Sequence, residues 1–349
     1  MFSVRNIAIS RVSQFLAMLC LWLPVAAIAQ VTSREPAFRD NFYDVVALGR
    51  EAWIVGYYGT ILHSGDGAVT WTLQNSQTRE ALYRIAFAEK NTGWVSGSYG
   101  TLLHTRDSGK SWQKQTTNTE EHLFGLHFLD SMSGWAVGSR GVILRTENGG
   151  VTWTNASIGE DVILNDVRFV NPKQGWAVGE FGRIYQTRDG GRSWEKQQSP
   201  IEVSLISGES RNLFRLLFSN GNAGWAFGLD GAILKTQGGG RWDLASPDGA
   251  VPPLMKRHHL FSASFYDGTT FAVGERGTVL VFRAENNQWA PAGLKIPPVT
   301  LNGIAFGADG LGLIVGNRGL ILRSQNGGNG WEQIRIEAQG QGKGVSQNR

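Results

Sequence analysis

From residue 42 onward, apolar and polar positions alternate in short runs, each closed by a cluster rich in Gly, Asp, Asn and Ser. Segments such as Leu82-Tyr83-Arg84-Ile85-Ala86-Phe87, Trp94-Val95-Ser96-Gly97 and Leu102-Leu103-His104-Thr105 predict short strands joined by tight turns. The runs repeat as one unit, W-x-V-G-x-x-G-x-I-L-x-T-x-D-G-G-x-S/T-W, beginning at Trp53, Trp94, Trp135, Trp176, Trp225, Phe271 and Leu313, in steps of 41, 41, 41, 49, 46 and 42 residues. Each unit closes on a tryptophan: Trp71, Trp112, Trp153, Trp194, Trp242, Trp289 and Trp331. A further apolar segment precedes each one, running from Phe42 to Ala47 in the first unit and from Leu82 to Phe87 in the second. Four strands in roughly 40 residues make one propeller blade. The chain therefore reads as an all-β, seven-bladed β-propeller with four-stranded antiparallel blades. A solenoid is the structural rival, but seven copies without an atypical capping repeat favour a closed ring.

Glycine (46 residues) and tryptophan (13) agree with this pattern. Gly56 and Gly59, like Gly97 and Gly100, flank what reads as a two-residue connection where positive φ is needed. Alternating residues such as Val137, Ile143 and Leu144 are expected to pack blade on blade.

The first residues differ. Arg5 and Arg11 precede an apolar run from Phe15 to Ile28 that ends in Ala27-Ile28-Ala29, the layout of a secretory signal peptide. Residues 1–29 are read as that signal, 30–336 as the propeller and 337–349 as a disordered, glycine-rich polar tail, with a periplasmic location. The single cysteine, Cys20, leaves with the signal, so the mature chain must be stable by packing alone. The 33 basic residues less Arg5 and Arg11, against 29 acidic ones, leave a formal charge of about +2, which gives nucleic-acid binding little support.

The T-x-D-x-G-x-S-W stretches at Thr105 to Trp112 and Thr187 to Trp194 resemble the Asp-box of bacterial neuraminidase repeats, and Thr146 to Trp153 is a near copy with Asn148 for the acid. The first copy has Ala68 where glycine is expected, the fifth carries Gly238 at the acid position, and the sixth has lost the motif. Such boxes are structural: acid and glycine close a turn and the tryptophan packs beneath it. The longer pattern is similar to the photosystem II stability and assembly factor family, including bacterial relatives outside photosynthesis, over about residues 40 to 336. The resemblance implies a propeller on the outer side of a membrane that assists an integral membrane protein or an envelope transport complex.

Catalytic constellations are thin. A sialidase needs an arginine cluster, a tyrosine nucleophile and long pocket-building loops; three unbroken steps of 41 residues leave short loops, and no Phe-Arg-Ile-Pro segment occurs. Neither Gly-x-Ser-x-Gly nor a phosphate-cradling loop is present. His63 and His104 occupy equivalent blade positions, and His258-His259 lies in an insertion, so no metal or cofactor is expected. The expectation is a non-catalytic binding protein. Propeller geometry brings the connection into each inner strand and the turn between second and third strands to one side of the disc. Those turns carry Tyr57-Tyr58, Tyr99, Arg140, Phe181, Arg276 and Arg318, and the second and third inner-strand positions add Tyr43, Tyr83, Arg84, Phe124, Phe214, Arg215 and Phe261. Turns favour Gly, Asn, Asp and Ser, whereas Tyr and Arg dominate binding surfaces. Longer connections before Leu213 and Leu260, the second holding Pro252-Pro253-Leu254-Met255-Lys256-Arg257, belong to the same side. A carbohydrate-binding propeller is the alternative; it would repeat one aromatic set in several blades, and these turns differ from blade to blade. A sialidase-like glycosidase is a more distant one. The oligomeric state is not legible.

Overall fold

Short apolar runs separated by glycine turns pair with their nearest neighbours in sequence, and every strand does so here. The computed structural model describes residues 41–336 apart from 204–208, 210, 221–222, 246–257 and 286. The signal segment 1–29, the polar tail 337–349 and the proline-rich stretch 252–257 lie outside the described residues. Seven four-stranded antiparallel sheets form, each from one contiguous stretch: 42–74, 82–114, 123–155, 164–197, 213–244, 260–291 and 301–334, numbered blades 1 to 7. Among the described residues no strand is exchanged between the first and last blades. Blade 7 closes on blade 1 through side chains instead: Phe42, Ile54 and Trp71 share one core with Leu313, Val315 and Ile321. Asn302 Nδ2 donates to the Phe42 carbonyl at 2.7 Å, and the Arg318 N–H to Asn41 Oδ1 at 3.3 Å.

The repeated tryptophans bind blade to blade. The opening tryptophan of each of the first four blades reaches the outer turn of the next: Trp53 Nε1 donates to Ser108 O (3.2 Å), Trp94 to Gly149 O (3.0 Å), Trp135 to Gly190 O (3.0 Å) and Trp176 to Gly239 O (2.8 Å). The same rings stack on a phenylalanine of the next inner strand, as Trp94 on Phe128 and Trp135 on Phe169, both at 3.5 Å. His63 and His104 stack on Trp53 and Trp94 at 4.9 and 4.8 Å, a packing role. Burial, with Arg106 nearby, pushes His104 down to about 4, so it is neutral there.

The outer turns of blades 2 and 4 are knotted by a carboxylate. Asp189 accepts from Thr187 Oγ1 (2.8 Å), the Ser193 N–H (3.0 Å) and Ser193 Oγ (2.6 Å), and Asp107 does the same with Thr105 and Ser111. Hydrogen bonds led by Ser111 hold Asp107 below the usual carboxylate range; at Asp66 and Asp189 such bonds outweigh a desolvation that acts the other way. A depressed folded pKa stabilises above the unfolded value, and that contribution is lost as pH falls through the folded one. Asn148 makes the equivalent bonds in blade 3 with a neutral amide. The triple variant Asp66→Asn, Asp107→Asn, Asp189→Asn should therefore lose less stability than wild type between about pH 6 and pH 3. Urea unfolding at the two pH values checks this, and an equal loss in both proteins would remove these turns from the account of acid lability.

One correction concerns the hairpins between second and third strands. The reversal is centred one residue later than the sequence suggests: Tyr58 (φ 54°, ψ 41°) and Gly59 (φ 71°) both have positive φ, and the Thr60 N–H closes on Tyr57 O at 3.1 Å, a type I′ turn. Gly56 is extended at φ −166°; it is small because a Cβ there would stand 2.5 Å from the Asn41 carbonyl oxygen. Among the described residues no helix is long and apolar enough to cross a membrane.

Candidate functional site: the axial mouth and its rim

In all seven blades the pairing of inner and second strands slips by one residue at the same place. Phe42 and Asp44 are partnered but Tyr43 is skipped; Leu82 and Arg84 are partnered but Tyr83 is skipped. The remaining blades skip Phe124, Asn165, Phe214, Phe261 and Asn302. A bulge of this kind re-aims a side chain and leaves it outside the ladder. Here the seven bulge residues, with Arg84, line a cavity of about 170 Å³ at the mouth of the propeller axis. Tyr43, Tyr83 and Phe124 form an unbroken aromatic arc with ring centres 5.7 and 5.1 Å apart, and Phe214 and Phe261 a second pair at 5.1 Å. The two asparagines stitch neighbouring blades: Asn165 Nδ2 donates to Leu213 O at 2.9 Å, as Asn302 does to Phe42 O.

Around the mouth stand the hairpin turns. The first turn residue donates its N–H to the residue before the inner strand of its own blade, as Tyr57 to Asn41 O, Ser98 to Ala81 O and Ser139 to His122 O, so mouth and turns share one face as expected. The second turn residue is left-handed in every blade: Tyr58, Tyr99, Arg140, Phe181, Asp230, Arg276 and Arg318, with φ between 50° and 61°. Only Asp230 is of a type that tolerates this region easily. Tyr57, Tyr58, Tyr99, Arg140, Arg276 and Arg318 are exposed. Phe181 is half-buried under Arg183 and packs against the core of blades 3 and 4. A groove of about 700 Å³ runs from Tyr99 along the connection from Lys114 to Glu120.

Arg84 and Arg215 are not rim residues. Each is only 8% exposed, and they lie below the mouth with Asp44 and Asp166. Arg84 Nη1 is 3.7 Å from Asp44 Oδ1, and Arg215 Nε 3.9 Å from Asp166 Oδ2. The third inner-strand position faces inward because of the bulge, so an arginine there is drawn to a buried carboxylate. His122 and His259 belong to the face, although the sequence reading left them out: His122 Nδ1 accepts from the Tyr99 N–H (3.4 Å) and His259 Nδ1 from Asp230 (3.1 Å). His258 and His259, which the sequence places in an insertion, are both hydrogen-bonded, the former to Thr278 Oγ1 at 2.7 Å. Among the described residues no group of three His, Cys, Asp or Glu is placed to hold a metal ion.

The fold and this face define a seven-bladed propeller with an aromatic axial mouth and a tyrosine- and arginine-bearing rim. The chain matches the sequence profile of the photosynthesis system II assembly factor YCF48 over residues 68–163 and 152–252, and it belongs to that family. Among solved structures, it is similar to YCF48 bound to a D1 peptide, with 20% identity over 82% of this chain and 91% of that one, TM-score 0.64. It is likewise similar to YCF48 from Cyanidioschyzon merolae (18% identity, 82% and 95%, TM-score 0.62) and to the GH74 enzyme of Niastella koreensis (13%, 84% and 53%, TM-score 0.64). At these identities the likenesses establish the fold alone. No curated protein matches the chain significantly.

Proposed function

We propose that this protein is a non-catalytic periplasmic accessory factor that holds a polypeptide segment of an envelope membrane protein complex on its rim and mouth. The observation that carries the reading is the occupancy of the left-handed turn position. Tyr58, Tyr99, Arg140, Arg276 and Arg318 stand exposed where Asn, Asp or Gly would relax the backbone. Residues kept against conformational preference on one face are best accounted for by what they contact. Tyr and Arg are the types that anchor protein interfaces. Family membership supports an assembly role, and a related propeller has been solved with a D1 peptide bound. The turns differ from blade to blade, which suits one asymmetric polypeptide better than a repeated sugar.

Crosslinking followed by affinity purification from detergent-solubilised envelopes tests this, comparing wild type with Tyr57→Ser, Tyr58→Asn, Tyr99→Asn combined. A membrane protein recovered with wild type and lost from the folded variant supports the reading. Equal recovery refutes the face. Recovery of no protein, with wild type retained on a glycan array and the variant not, would transfer the site to carbohydrate.

A further inference from the structure

At the other end of the axis from the aromatic mouth, a cavity of about 390 Å³ opens between the inner strands, and Asp44, His127, Arg168 and Arg215 supply most of its polar lining. With Arg84 and Asp166 these groups form one layer across the channel, in which Asp44, Arg84, Asp166 and Arg215 are buried and His127 and Arg168 are half-buried toward the cavity. Its charges do not balance: three guanidinium groups face two carboxylates. Burial alone would raise Asp166, but Arg168, Arg215 and Arg84 overcome this and hold it ionised, below the usual range. His127 adds no charge. Burial and then Arg168 push it down to about 3, and its Nδ1 accepts the Phe169 N–H at 3.2 Å.

The pairs within the layer are loose. Arg168 Nε is 3.5 Å from Asp166 Oδ2, and the contacts of Arg84 and Arg215 with their carboxylates are longer. Asp44 and Asp166 each spend one oxygen on a backbone N–H of the next blade, Ile85 at 3.2 Å and Leu216 at 2.9 Å. Among the described residues Arg84 has one hydrogen bond, from Nη2 to Phe214 O at 3.2 Å. Among the described residues, Nε and Nη1 of Arg215 and Nε of Arg84 are buried without a hydrogen-bond partner. Unmatched guanidinium donors away from water are costly, and the planar fork they present matches a planar oxyanion.

We propose that this layer is a binding site for one monovalent carboxylate, which reaches Arg168 and Arg215 from the 390 Å³ cavity and neutralises the excess guanidinium charge. The site is entered from the end of the axis opposite the docking face, and Arg84 is the one residue it shares with the aromatic mouth.

The test is thermal unfolding of the purified propeller at neutral pH in sodium acetate against sodium chloride of matched ionic strength. Acetate at ten times its dissociation constant should raise the midpoint by about 3 °C over chloride. Arg168→Met removes the excess charge and should abolish the difference; Asp44→Asn adds to the excess, keeps an acceptor for Ile85, and should enlarge it. Equal midpoints of wild type in the two salts, or an undiminished acetate effect in Arg168→Met, would overturn the proposal. If Arg168→Met does not fold, an effect in Asp44→Asn no larger than in wild type does the same. A trialanine peptide with a free carboxylate, compared with its C-terminal amide, separates the sources: a rise with the acid form alone assigns the site to polypeptide ends as well, and a rise with acetate only assigns it to small free carboxylates.

Discussion

Replacing Tyr99 by Asn should make the propeller more stable and its partner complex weaker. Tyr99 has φ 50° and is 63% exposed, with one tilted contact to the His122 ring at 4.7 Å. A left-handed conformation costs an ordinary residue about 1–2 kcal/mol, and Asn carries much less of that penalty. Subtracting a few tenths for the lost ring contact leaves an expected gain of about 0.5–1 kcal/mol. At Tyr58 the same change should be near neutral, because Arg79 sits over its ring at 5.7 Å and an exposed cation–π contact is worth about 0.5–1 kcal/mol. Partner affinity should fall at least about tenfold for the pair of changes, as expected when interface tyrosines worth 1–2 kcal/mol or more are removed. Blade 5 supplies the reverse experiment: Asp230→Tyr puts the unfavourable residue where the protein has a favourable one, and should destabilise without improving binding. Urea midpoints and a binding titration decide it. Loss of stability in Tyr99→Asn with affinity unchanged would mean that the tyrosine is there for packing.

The unit length, the number of blades and the strands of each blade follow from local pattern, because every strand pairs with its sequence neighbour and no long-range register has to be guessed. Sharing of one face by turns and inner-strand starts was legible for the same reason. The bulge was not read, although it leaves a trace: Leu82-Tyr83 and Leu123-Phe124 place two bulky residues side by side where strict alternation calls for one, and the second of each pair is the skipped residue. Without the bulge, Arg84 and Arg215 were assigned to the surface, since an arginine beside an aromatic in a turn-proximal strand reads as exposed. Their burial depends on Asp44 and Asp166, each one blade away from the arginine it pairs with, a long-range pairing that no window of sequence contains. Asn165 and Asn302 were passed over because an asparagine in an inner strand reads as a weak strand former; its work here is to bond a carbonyl of the neighbouring blade.

Trp94→Ala should cost about 3–5 kcal/mol, the range for removing a fully buried large aromatic. Its ring is completely buried between Phe128 and His104, and its Nε1 donates to Gly149 O in the next blade. Trp94→Phe should cost less, about 1–2 kcal/mol, because the stack survives and Gln115 Nε2 still reaches the Gly149 carbonyl at 3.3 Å. Trp225→Ala in blade 5 should fall below Trp94→Ala by about 1 kcal/mol or more: that ring is half-buried and meets Phe282 and Trp289 edge-on at 4.9 and 5.5 Å. The order of these three values in urea unfolding measures whether indole bonds and stacks bind the blades, and equal losses for Trp94→Ala and Trp225→Ala would show that they do not. The repeats weaken in a consistent direction, since Phe271 and Leu313 replace the opening tryptophan in blades 6 and 7 and cannot donate to an outer turn. Blades 1 to 5 are therefore joined by bonds that the remaining contacts lack, including the one where the two ends of the ring meet. Local opening should start at that seam, with backbone amides of blades 6 and 7 exchanging before those of blades 2 to 4.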